Sequence, residues 1–330
     1  MKDRHLTDPQ RRFVLQALAA AAVAGAAPFD TAAARPTQDG HGRDADATTP
    51  GPLLKPIPAT GEKIPAIGMG TWLTFNVAPY TEARDQRVEV VRAFLDAGGT
   101  VVDSSPMYGL AEAAVGHCRE KLGGTPALFA ATKVWIPTRI AGVAQMNLSM
   151  KLWGLAKMDL MQIHNLLDWE AHLPTLREWK AAGRIRYIGI TTSHGRRHDD
   201  MLEIIEKQKE FDAVQFSYSV HDRVAEDRLL RAAADRGKAV LINRPFRTGK
   251  LFELAAGKPL PAWTTAELDC HSWAQFFLKF VISHPAVTCA IPATTSVAHM
   301  RENMQALRGP LPDPEQRQRM ADDWRRLVPV

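Results

Sequence analysis

The chain has 330 residues, of which 45% are hydrophobic and 23% are charged, and its net charge is +5. These proportions exclude a disordered chain, a collagen-like fibre and a coiled coil, and they are typical of a packed globular protein. The basic residues are scattered, so we expect no nucleic-acid partner. Three cysteines without metal-ligand spacing exclude a disulfide scaffold and a zinc site.

The N-terminal segment has the layout of an export signal. Arg11 and Arg12 precede an apolar run at 17–29, and alanines follow at 32–34. A bilayer core needs about 20 apolar residues, so this run is too short to cross one. A charged start, a short apolar stretch and small residues characterise a cleavable signal, and the paired arginines resemble the twin-arginine (Tat) signal. An ordinary alanine-rich helix is the alternative interpretation.

Composition divides the chain into three parts. Residues 1–34 form the predicted twin-arginine signal peptide, and residues 35–52 form a predicted disordered linker rich in Pro, Gly, Asp and Thr. Residues 53–330 form the predicted folded domain, in which short apolar runs alternate with longer amphipathic stretches.

The alternating pattern predicts eight strands and the helices between them. The predicted strands lie at 66–71, 100–104, 128–134, 158–164, 187–192, 213–218, 239–244 and 287–292. The predicted helices lie at 82–97, 111–122, 140–152, 170–182, 199–207, 226–236 and 267–283. This order predicts an α/β protein with a single (β/α)8 TIM barrel, and a doubly wound open sheet is the alternative. We also expect an N-terminal β-hairpin cap at 55–65 and a C-terminal helix at 315–327.

Polar residues end three consecutive predicted strands. Asp103, Lys133 and His164 are spaced by about 30 residues, which is one strand–helix unit. Active sites of such barrels lie at the C-terminal ends of the strands. We therefore expect these side chains to converge at one mouth, together with Tyr108, which closely follows Asp103.

These four residue types can transfer a proton to a carbonyl group. Asp103 is the natural counter-ion for Lys133, whose ammonium is expected to lower the pKa of Tyr108 from its usual value near 10. Tyr108 then protonates a carbonyl oxygen, while His164 orients that oxygen by a hydrogen bond. No side chain carries a hydride, so the reaction requires a cofactor.

The sequence resembles the aldo-keto reductase family from residue 64 to residue 303. The most specific matches lie at 67–72, 103–109, 132–133, 162–164, 291–292 and 302–303. The family's catalytic Asp, Tyr, Lys and His fall on Asp103, Tyr108, Lys133 and His164. The resemblance implies an oxidoreductase that uses NAD(P)H to reduce aldehydes or ketones to alcohols. The alternatives are a nicotinamide-binding redox-sensing or partner subunit with little turnover, and a barrel that uses Lys133 as a Schiff-base nucleophile.

The resemblance also implies a nicotinamide cofactor that extends across the barrel mouth without a Rossmann domain. The positions that match the family's cofactor-binding residues are Gly70, Thr71, Trp72, Asp103, Thr191, Thr192, Gln215, Arg244, Pro245, Phe246, Arg247, Gly249, Lys250, Leu251, Pro292, Ala293, Thr294, Thr295, His299, Glu302 and Asn303. Thr192 replaces an Asn, Ala293 a Lys and His299 an Arg, and Asn243 stands where many members stack an aromatic ring. The family's habit favours NADPH, with NADH as the alternative cofactor.

We expect the substrate pocket to be walled by residues on or after the first four strands. These residues are Trp72, Phe75, Tyr108, Trp135 and His164. No arginine is clearly dedicated to a carboxylate or phosphate group of the substrate, so the sequence predicts an apolar pocket for a small carbonyl compound. We expect no metal, and a monomer or a weak oligomer.

If the Tat signal is used, we expect a folded protein in the periplasm that has no membrane span after cleavage. If the signal is not used, we expect the protein in the cytoplasm. On fractionation of an expressing bacterium, we expect the protein in the periplasm with an N-terminus cleaved after Ala34, because small residues there suit signal processing. The mass of the N-terminal peptide checks the cleavage. A full-length cytoplasmic product would contradict the prediction.

Overall fold

The computed structural model describes residues 51–124 and 128–328. The predicted signal peptide at 1–34 and residues 35–50 of the predicted linker lie outside these ranges. Within them, every helix is too short or too polar to span a lipid bilayer.

Eight parallel strands form a barrel wall that follows a two-stranded hairpin. The hairpin strands are β1 (Leu54–Pro56) and β2 (Lys63–Pro65). The barrel strands are β3 (Met69–Gly70), β4 (Val101–Asp103), β5 (Phe129–Val134), β6 (Met158–Ile163), β7 (Ile185–Thr191), β8 (Ala213–Ser217), β9 (Ala239–Asn243) and β10 (Cys289–Ala290). Each barrel strand pairs with the next in chain order, and the Gly68 amide donates to the Ala290 carbonyl at 2.8 Å across the closing seam. The predicted (β/α)8 barrel is confirmed.

Helices surround the strands, and most of them bury one face against the barrel. They are α1 (Glu82–Asp96), α2 (Ala111–Lys121), α3 (Arg139–Trp153), α4 (Trp169–Ala181), α5 (His198–Lys207), α6 (Leu229–Asp235), α7 (Lys250–Ala255), α8 (Ala262–Leu268), α9 (Trp273–Ile282), α10 (Val297–Gln305) and α11 (Pro314–Leu327). In α5 the buried residues are Met201, Ile204 and Ile205, the spacing of one helical face. Helix α3 ends at Gly154, whose φ of 64° is the left-handed cap that glycine favours.

The structure divides the long helix predicted at 267–283 into α8 and α9. The backbone of Asp269 is left-handed, with φ of 49°, and it ends α8. Ser272 begins α9 by accepting a hydrogen bond from the Gln275 amide at 3.3 Å. The single-helix prediction is wrong because an Asp that tolerates left-handed backbone and a capping serine outweigh the continuous apolar periodicity.

The N-terminal hairpin closes the bottom of the barrel, as predicted. Its turn places Gly61 at φ of 74°, and the Gly61 amide donates to the Ile57 carbonyl at 2.8 Å. Ile57 and Ile64 are buried in one apolar cluster with barrel-interior residues such as Phe129 and Leu160. This apolar layer lies beneath the strand ends that carry the polar residues.

The C-terminal helix α11 completes the core on the outside of the barrel. Asp313 and Gln316 form a reciprocal capping box at its first turn. Trp324 is 2% exposed, and its ring centroid lies 5.7 Å from that of Trp273 and 5.1 Å from that of Phe277. Burial of this aromatic cluster attaches α11 to α9.

Replacement of Trp324 by alanine is expected to lower the free energy of unfolding by about 3–5 kcal/mol, since it leaves a large cavity in a packed cluster. Urea unfolding followed by tryptophan fluorescence and circular dichroism measures the change. Arg325→Ala is the control, because Arg325 is exposed and pairs only with Asp322 on the surface. That variant should change stability by less than about 0.5 kcal/mol, and equal losses for both variants would contradict the assignment.

Candidate active site

The four residues of the predicted tetrad meet at the C-terminal end of the barrel. Asp103 is the last residue of β4, Lys133 is the penultimate residue of β5, and His164 directly follows β6. Tyr108 ends a 3₁₀ turn that follows β4. Parallel pairing of β4, β5 and β6 directs these strand ends to the same side of the barrel.

A buried ion pair lies at the base of the site. The Lys133 Nζ donates to Asp103 Oδ2 at 2.5 Å and to the Ser104 carbonyl at 2.7 Å. Asp103 Oδ1 accepts from Gln162 Nε2 at 2.9 Å and from Gln215 Nε2 at 3.0 Å. A buried charge is tolerated when it is paired and its remaining lone pairs are hydrogen-bonded, and both conditions hold here.

Tyr108 lies directly beside this ion pair. The Lys133 Nζ is 5.2 Å from the centroid of the Tyr108 ring, and the rings of Tyr108 and His164 meet edge to face at 5.8 Å. Burial raises the pKa of Tyr108 well above its usual value, and the charge of Asp103 raises it further. This direction is opposite to the one expected from the sequence, because burial and Asp103 outweigh the Lys133 ammonium.

His164 is a buried, neutral imidazole that is hydrogen-bonded to Ser105. Burial lowers the pKa of His164 well below its usual value, and the charge of Lys133 lowers it further. Its Nδ1 lies 2.9 Å from Ser105 Oγ, which itself accepts from the Met107 amide at 3.2 Å. The Ser105 hydroxyl can donate its proton to Nδ1, and in that tautomer the imidazole carries its proton on Nε2.

A second buried carboxylate, which the sequence analysis missed, fixes the outer face of β5. Glu112 on α2 accepts hydrogen bonds from Thr132 at 2.5 Å, from Ser149 at 3.0 Å and from the indole of Trp153 at 3.2 Å. Burial raises the pKa of Glu112, and these hydrogen bonds oppose the rise. Because Thr132 precedes Lys133, the cluster holds the strand from which Lys133 projects. The sequence signal that could have identified this cluster was a glutamate among the small apolar residues of α2.

Above the tetrad lies a cleft of about 380 Å³. The residues expected from the sequence that line it are Gly70, Thr71, Trp72, Asp103, Tyr108, His164, Gln215, Arg244, Pro245, Phe246, Gly249, Pro292, Ala293, Thr294 and Thr295. Asn165, Ser193 and His194 also line it, and the sequence analysis did not name them. Within the described ranges, no cluster of three His, Cys, Asp or Glu side chains is arranged to hold a metal ion.

A second groove of about 700 Å³, here called the far groove, continues from the cleft. The two share the residues Phe246, Phe252, Ala293 and Thr294. The far groove is also lined by His299, Glu302 and Asn303, which the sequence analysis expected at the cofactor, and by Lys258, which it missed. The cleft and the far groove are adjacent, and we call the two together the path across the mouth.

Two aromatic residues expected in the substrate pocket do not line the cleft. Phe75 is fully buried in the hydrophobic core. Its amide donates to the Thr71 carbonyl at 3.1 Å, so the loop after β3 folds back and directs this side chain inward. Trp135 is also buried, with its ring centroid 6.3 Å from that of His164, and it supports His164 from the side.

The two threonines that end and follow β7 lie beneath the cleft surface. Thr191 Oγ1 accepts a hydrogen bond from the Asn165 amide at 3.1 Å. The Thr192 carbonyl accepts from Asn243 Nδ2 at 2.9 Å, and both threonine side chains are buried. Their structural role is to position Asn165 and Asn243, which both line the cleft.

Part of the loop after β9 also points away from the cleft. Lys250 pairs with Glu253 at 2.7 Å on the surface, and Leu251 is fully buried. Gly249 precedes α7, so the first residues of this helix rotate their side chains away from the mouth. Arg247 lines a smaller polar pocket beside the cleft.

Comparison with known proteins gives a consistent family. The family model described as the aldo/keto reductase family matches residues 66–321. The chain is 26% identical over 216 residues to the aldo-keto reductase YhdN of Bacillus subtilis, a match that covers 60% of this chain and 64% of YhdN. It is 30% identical over 140 residues to pyridoxine 4-dehydrogenase of Escherichia coli, covering 42% of this chain and 44% of that enzyme. The chain thus spans between two fifths and two thirds of the length of these curated relatives.

Solved structures of similar proteins match more of the chain. An aldo/keto reductase from Klebsiella pneumoniae in complex with NADP and acetate has a TM-score of 0.68 and 25% identity, covering 82% of this chain and 93% of that one. The thermostable aldo-keto reductase Tm1743 in complex with the inhibitor epalrestat has a TM-score of 0.66 and 26% identity. The match covers 82% of this chain and 99% of that one. The barrel, the strand-end tetrad and the match over 66–321 lead to one assignment. The chain belongs to the aldo/keto reductase family.

Proposed function

We propose that the protein uses NADPH to reduce aldehydes or ketones to alcohols, with Tyr108 as the proton donor. The observation that carries this proposal is the buried Lys133–Asp103 ion pair beside Tyr108 and His164, at the base of one cleft. Membership of an oxidoreductase family agrees with it. The cofactor, when bound, supplies the hydride.

Tyr108 is suited to donate a proton because it keeps that proton at neutral pH. Burial and Asp103 raise its pKa, so the phenol is the populated form. A phenol can protonate a carbonyl oxygen as negative charge develops there. The Lys133 ammonium, 5.2 Å from the ring centroid, stabilises the phenolate that remains after transfer.

His164 is suited to orient the carbonyl group. In the tautomer in which Ser105 donates to Nδ1, the Nε2–H is the ring donor that faces the cleft. A neutral imidazole donor holds the carbonyl oxygen without placing a second cation beside Lys133. Tyr108 and His164 therefore supply two donors to one oxygen, at the edge-to-face spacing of 5.8 Å between their rings.

The residues along the path fit an extended dinucleotide. The cleft offers the amide of Asn165 and the hydroxyl of Ser193, which suit a carboxamide. The shared section presents the rings of Phe246 and Phe252, and the far groove ends in polar groups that include Glu302. An extended nicotinamide dinucleotide has a carboxamide at one end and an adenosine at the other. It therefore requires amide-binding groups at one end of the path and polar groups at the other.

The preference for NADPH over NADH rests on a cation at the far end of the path. Ala293 and His299 supply no permanent positive charge, but Lys258 lines the far groove. An ammonium there can hold the additional phosphate of NADPH. The Klebsiella pneumoniae relative in complex with NADP supports the same preference.

Export through the Tat pathway remains part of the proposal. The pathway carries folded proteins, and a reductase with a cofactor loaded before export suits it. Arg11 and Arg12, with the apolar run after them, are the residues that support it.

Replacement of Tyr108 by phenylalanine is expected to lower kcat/KM for carbonyl reduction by roughly 10²–10⁴-fold, because it removes the proton donor. NADPH oxidation with a panel of aldehydes and ketones measures the rate, and fluorescence titration measures NADPH binding, which should persist. Tyr80→Phe is the matched control, since Tyr80 is fully exposed on a loop. Retained activity in Tyr108→Phe would contradict the proposal, and borohydride trapping of substrate on Lys133 would favour Schiff-base chemistry.

The pH dependence follows from the same protonation states. We expect kcat/KM for reduction to stay level from about pH 6 to 9 and to fall only above pH 10, because Tyr108 loses its proton at a pKa raised above the usual 10.0. Stopped-flow rates in buffers of constant ionic strength test this profile. A loss of rate through neutral pH would indicate a different proton donor.

A further inference from the structure

The hydroxyl of Ser105 lies between the two residues that face the carbonyl group in the proposed reaction. Ser105 is fully buried, two residues after the end of β4, and it precedes the 3₁₀ turn that ends at Tyr108. Its Oγ lies 2.9 Å from His164 Nδ1 and accepts from the Met107 amide at 3.2 Å. One hydroxyl therefore contacts both the turn that carries Tyr108 and the ring that follows β6.

Ser105 is the N-cap of the turn that carries the proposed proton donor. Its backbone is extended, with φ of −164° and ψ of 146°, which is the usual conformation of a residue whose side chain caps the amides after it. The Ser105 carbonyl also accepts from the Tyr108 amide at 2.9 Å. The side chain and the backbone of one residue thus hold this turn at the end of β4.

Packing fixes the plane of the His164 ring but not which of its nitrogens faces the cleft. The ring meets Tyr108 edge to face at 5.8 Å, and the centroid of the Trp135 ring lies 6.3 Å away. Rotation of an imidazole by 180° exchanges each nitrogen with a carbon of similar size, so packing does not distinguish the two orientations. Among the described residues, Ser105 is the hydrogen-bond partner of the His164 ring. This contact therefore determines the orientation.

The hydrogen bonds of the Ser105 hydroxyl differ between the two tautomers of His164. A serine hydroxyl donates one proton and can accept two hydrogen bonds. If the ring proton is on Nε2, the hydroxyl donates to Nδ1 and accepts from the Met107 amide, and every group is paired. If the ring proton is on Nδ1, the hydroxyl only accepts, and its own proton has no other acceptor among the described residues. A buried donor without an acceptor is costly, so hydrogen bonding favours the proton on Nε2.

The tautomer decides what His164 offers to the cleft, which the ring lines. An Nε2–H donates to a carbonyl oxygen and so orients it. A bare Nε2 presents a lone pair, which accepts hydrogen bonds and repels the lone pairs of a carbonyl oxygen. The bond that the other ring nitrogen makes therefore controls whether His164 is a donor or an acceptor at the reacting oxygen.

We propose that Ser105 is a positioning residue of this active site, whose hydroxyl directs the His164 proton to Nε2 and holds the turn that carries Tyr108. This proposal rests on the proposed reductase function, because it assigns Ser105 to the two residues that bind the carbonyl oxygen there. Ser105 is buried and does not line the cleft, so it acts through these two residues.

The first test reads the tautomer of His164 directly. Long-range ¹H–¹⁵N NMR spectra of the full protein labelled with ¹⁵N-histidine distinguish a protonated ring nitrogen from a bare one, and His164→Gln identifies the signals of His164. We expect the wild-type protein to carry the proton on Nε2. In Ser105→Ala the Nδ1 signal should shift and the fraction of the Nε2–H tautomer should fall, whereas Ser105→Thr retains the hydroxyl and should keep the wild-type pattern. A proton on Nδ1 in the wild-type protein would overturn the proposal.

The second test measures the effect on the reaction. Ser105→Ala should lower kcat for carbonyl reduction by roughly tenfold, because a donor to the developing negative charge is misplaced. The Kd for NADPH should not change, since Ser105 does not line the cleft. Ser105→Thr should restore most of the lost activity. An unchanged kcat in Ser105→Ala would overturn the proposal.

Thr81→Ala is the matched control, because Thr81 is also a capping hydroxyl with one accepted and one donated hydrogen bond. Thr81 Oγ1 accepts from the Arg84 amide at 3.2 Å and donates to the Ala78 carbonyl at 2.8 Å, at the start of α1. Both alanine variants lose a cap and can lower the free energy of unfolding, but only Ser105→Ala should change kcat and the His164 spectrum. Equal losses of kcat in the two variants would overturn the proposal, because they would indicate a purely structural role.

The NMR measurement separates this proposal from the proposed function, since it needs no turnover. If no carbonyl compound is reduced but the expected tautomers are observed, the reductase function fails and the control of the His164 proton by Ser105 stands. If carbonyl compounds are reduced but Ser105→Ala changes neither the spectrum of His164 nor kcat, the proposal for Ser105 fails alone.

Discussion

The buried ion pair of Lys133 and Asp103 determines how the mouth of this barrel is built. Removing two charges from water costs several kcal/mol for each ion, and that cost is offset only when the charged atoms are well hydrogen-bonded. Lys133 donates to Asp103 and to the Ser104 carbonyl, while Gln162 and Gln215 donate to the other carboxylate oxygen. The register supplies these partners, since Lys133 pairs with Gln162 in the β5–β6 ladder. A polar layer at the strand ends is the consequence.

The two charges of the pair act on different neighbours and in opposite directions. Asp103 raises the pKa of Tyr108, whereas Lys133 lowers the pKa of His164. Burial acts in the same direction as the charge in each case, so a protonated phenol and a neutral imidazole lie side by side. Both are neutral hydrogen-bond donors at physiological pH. In the reaction that we propose, these two donors face a carbonyl oxygen that gains negative charge.

Topology explains why part of this site was predictable from the sequence and part was not. Asp103, Lys133 and His164 could be assigned from spacing alone, because every parallel strand of a barrel ends at the same mouth. The pKa direction of Tyr108 depends on burial and on distances between residues far apart in the chain, which spacing does not contain. The prediction that Phe75 lines the pocket was wrong for a similar reason. The hydrogen bond from its amide to the Thr71 carbonyl folds the loop inward.

The mouth and the lower barrel differ in how much backbone strain they contain. Left-handed non-glycine residues on the loops that follow β3, β6, β7 and β9 include Leu73, Asn165, His194, Arg244 and Arg247. Such backbone persists only where the surrounding structure determines it, and the closely packed barrel interior, sealed below by the hairpin, provides that support.

The strained turn of Arg244 and Arg247 follows β9, while the tetrad lies at the ends of β4, β5 and β6. The turn shares no residue with the tetrad, so the backbone strain of the turn and the ion pair of the tetrad lie on different strands of one barrel.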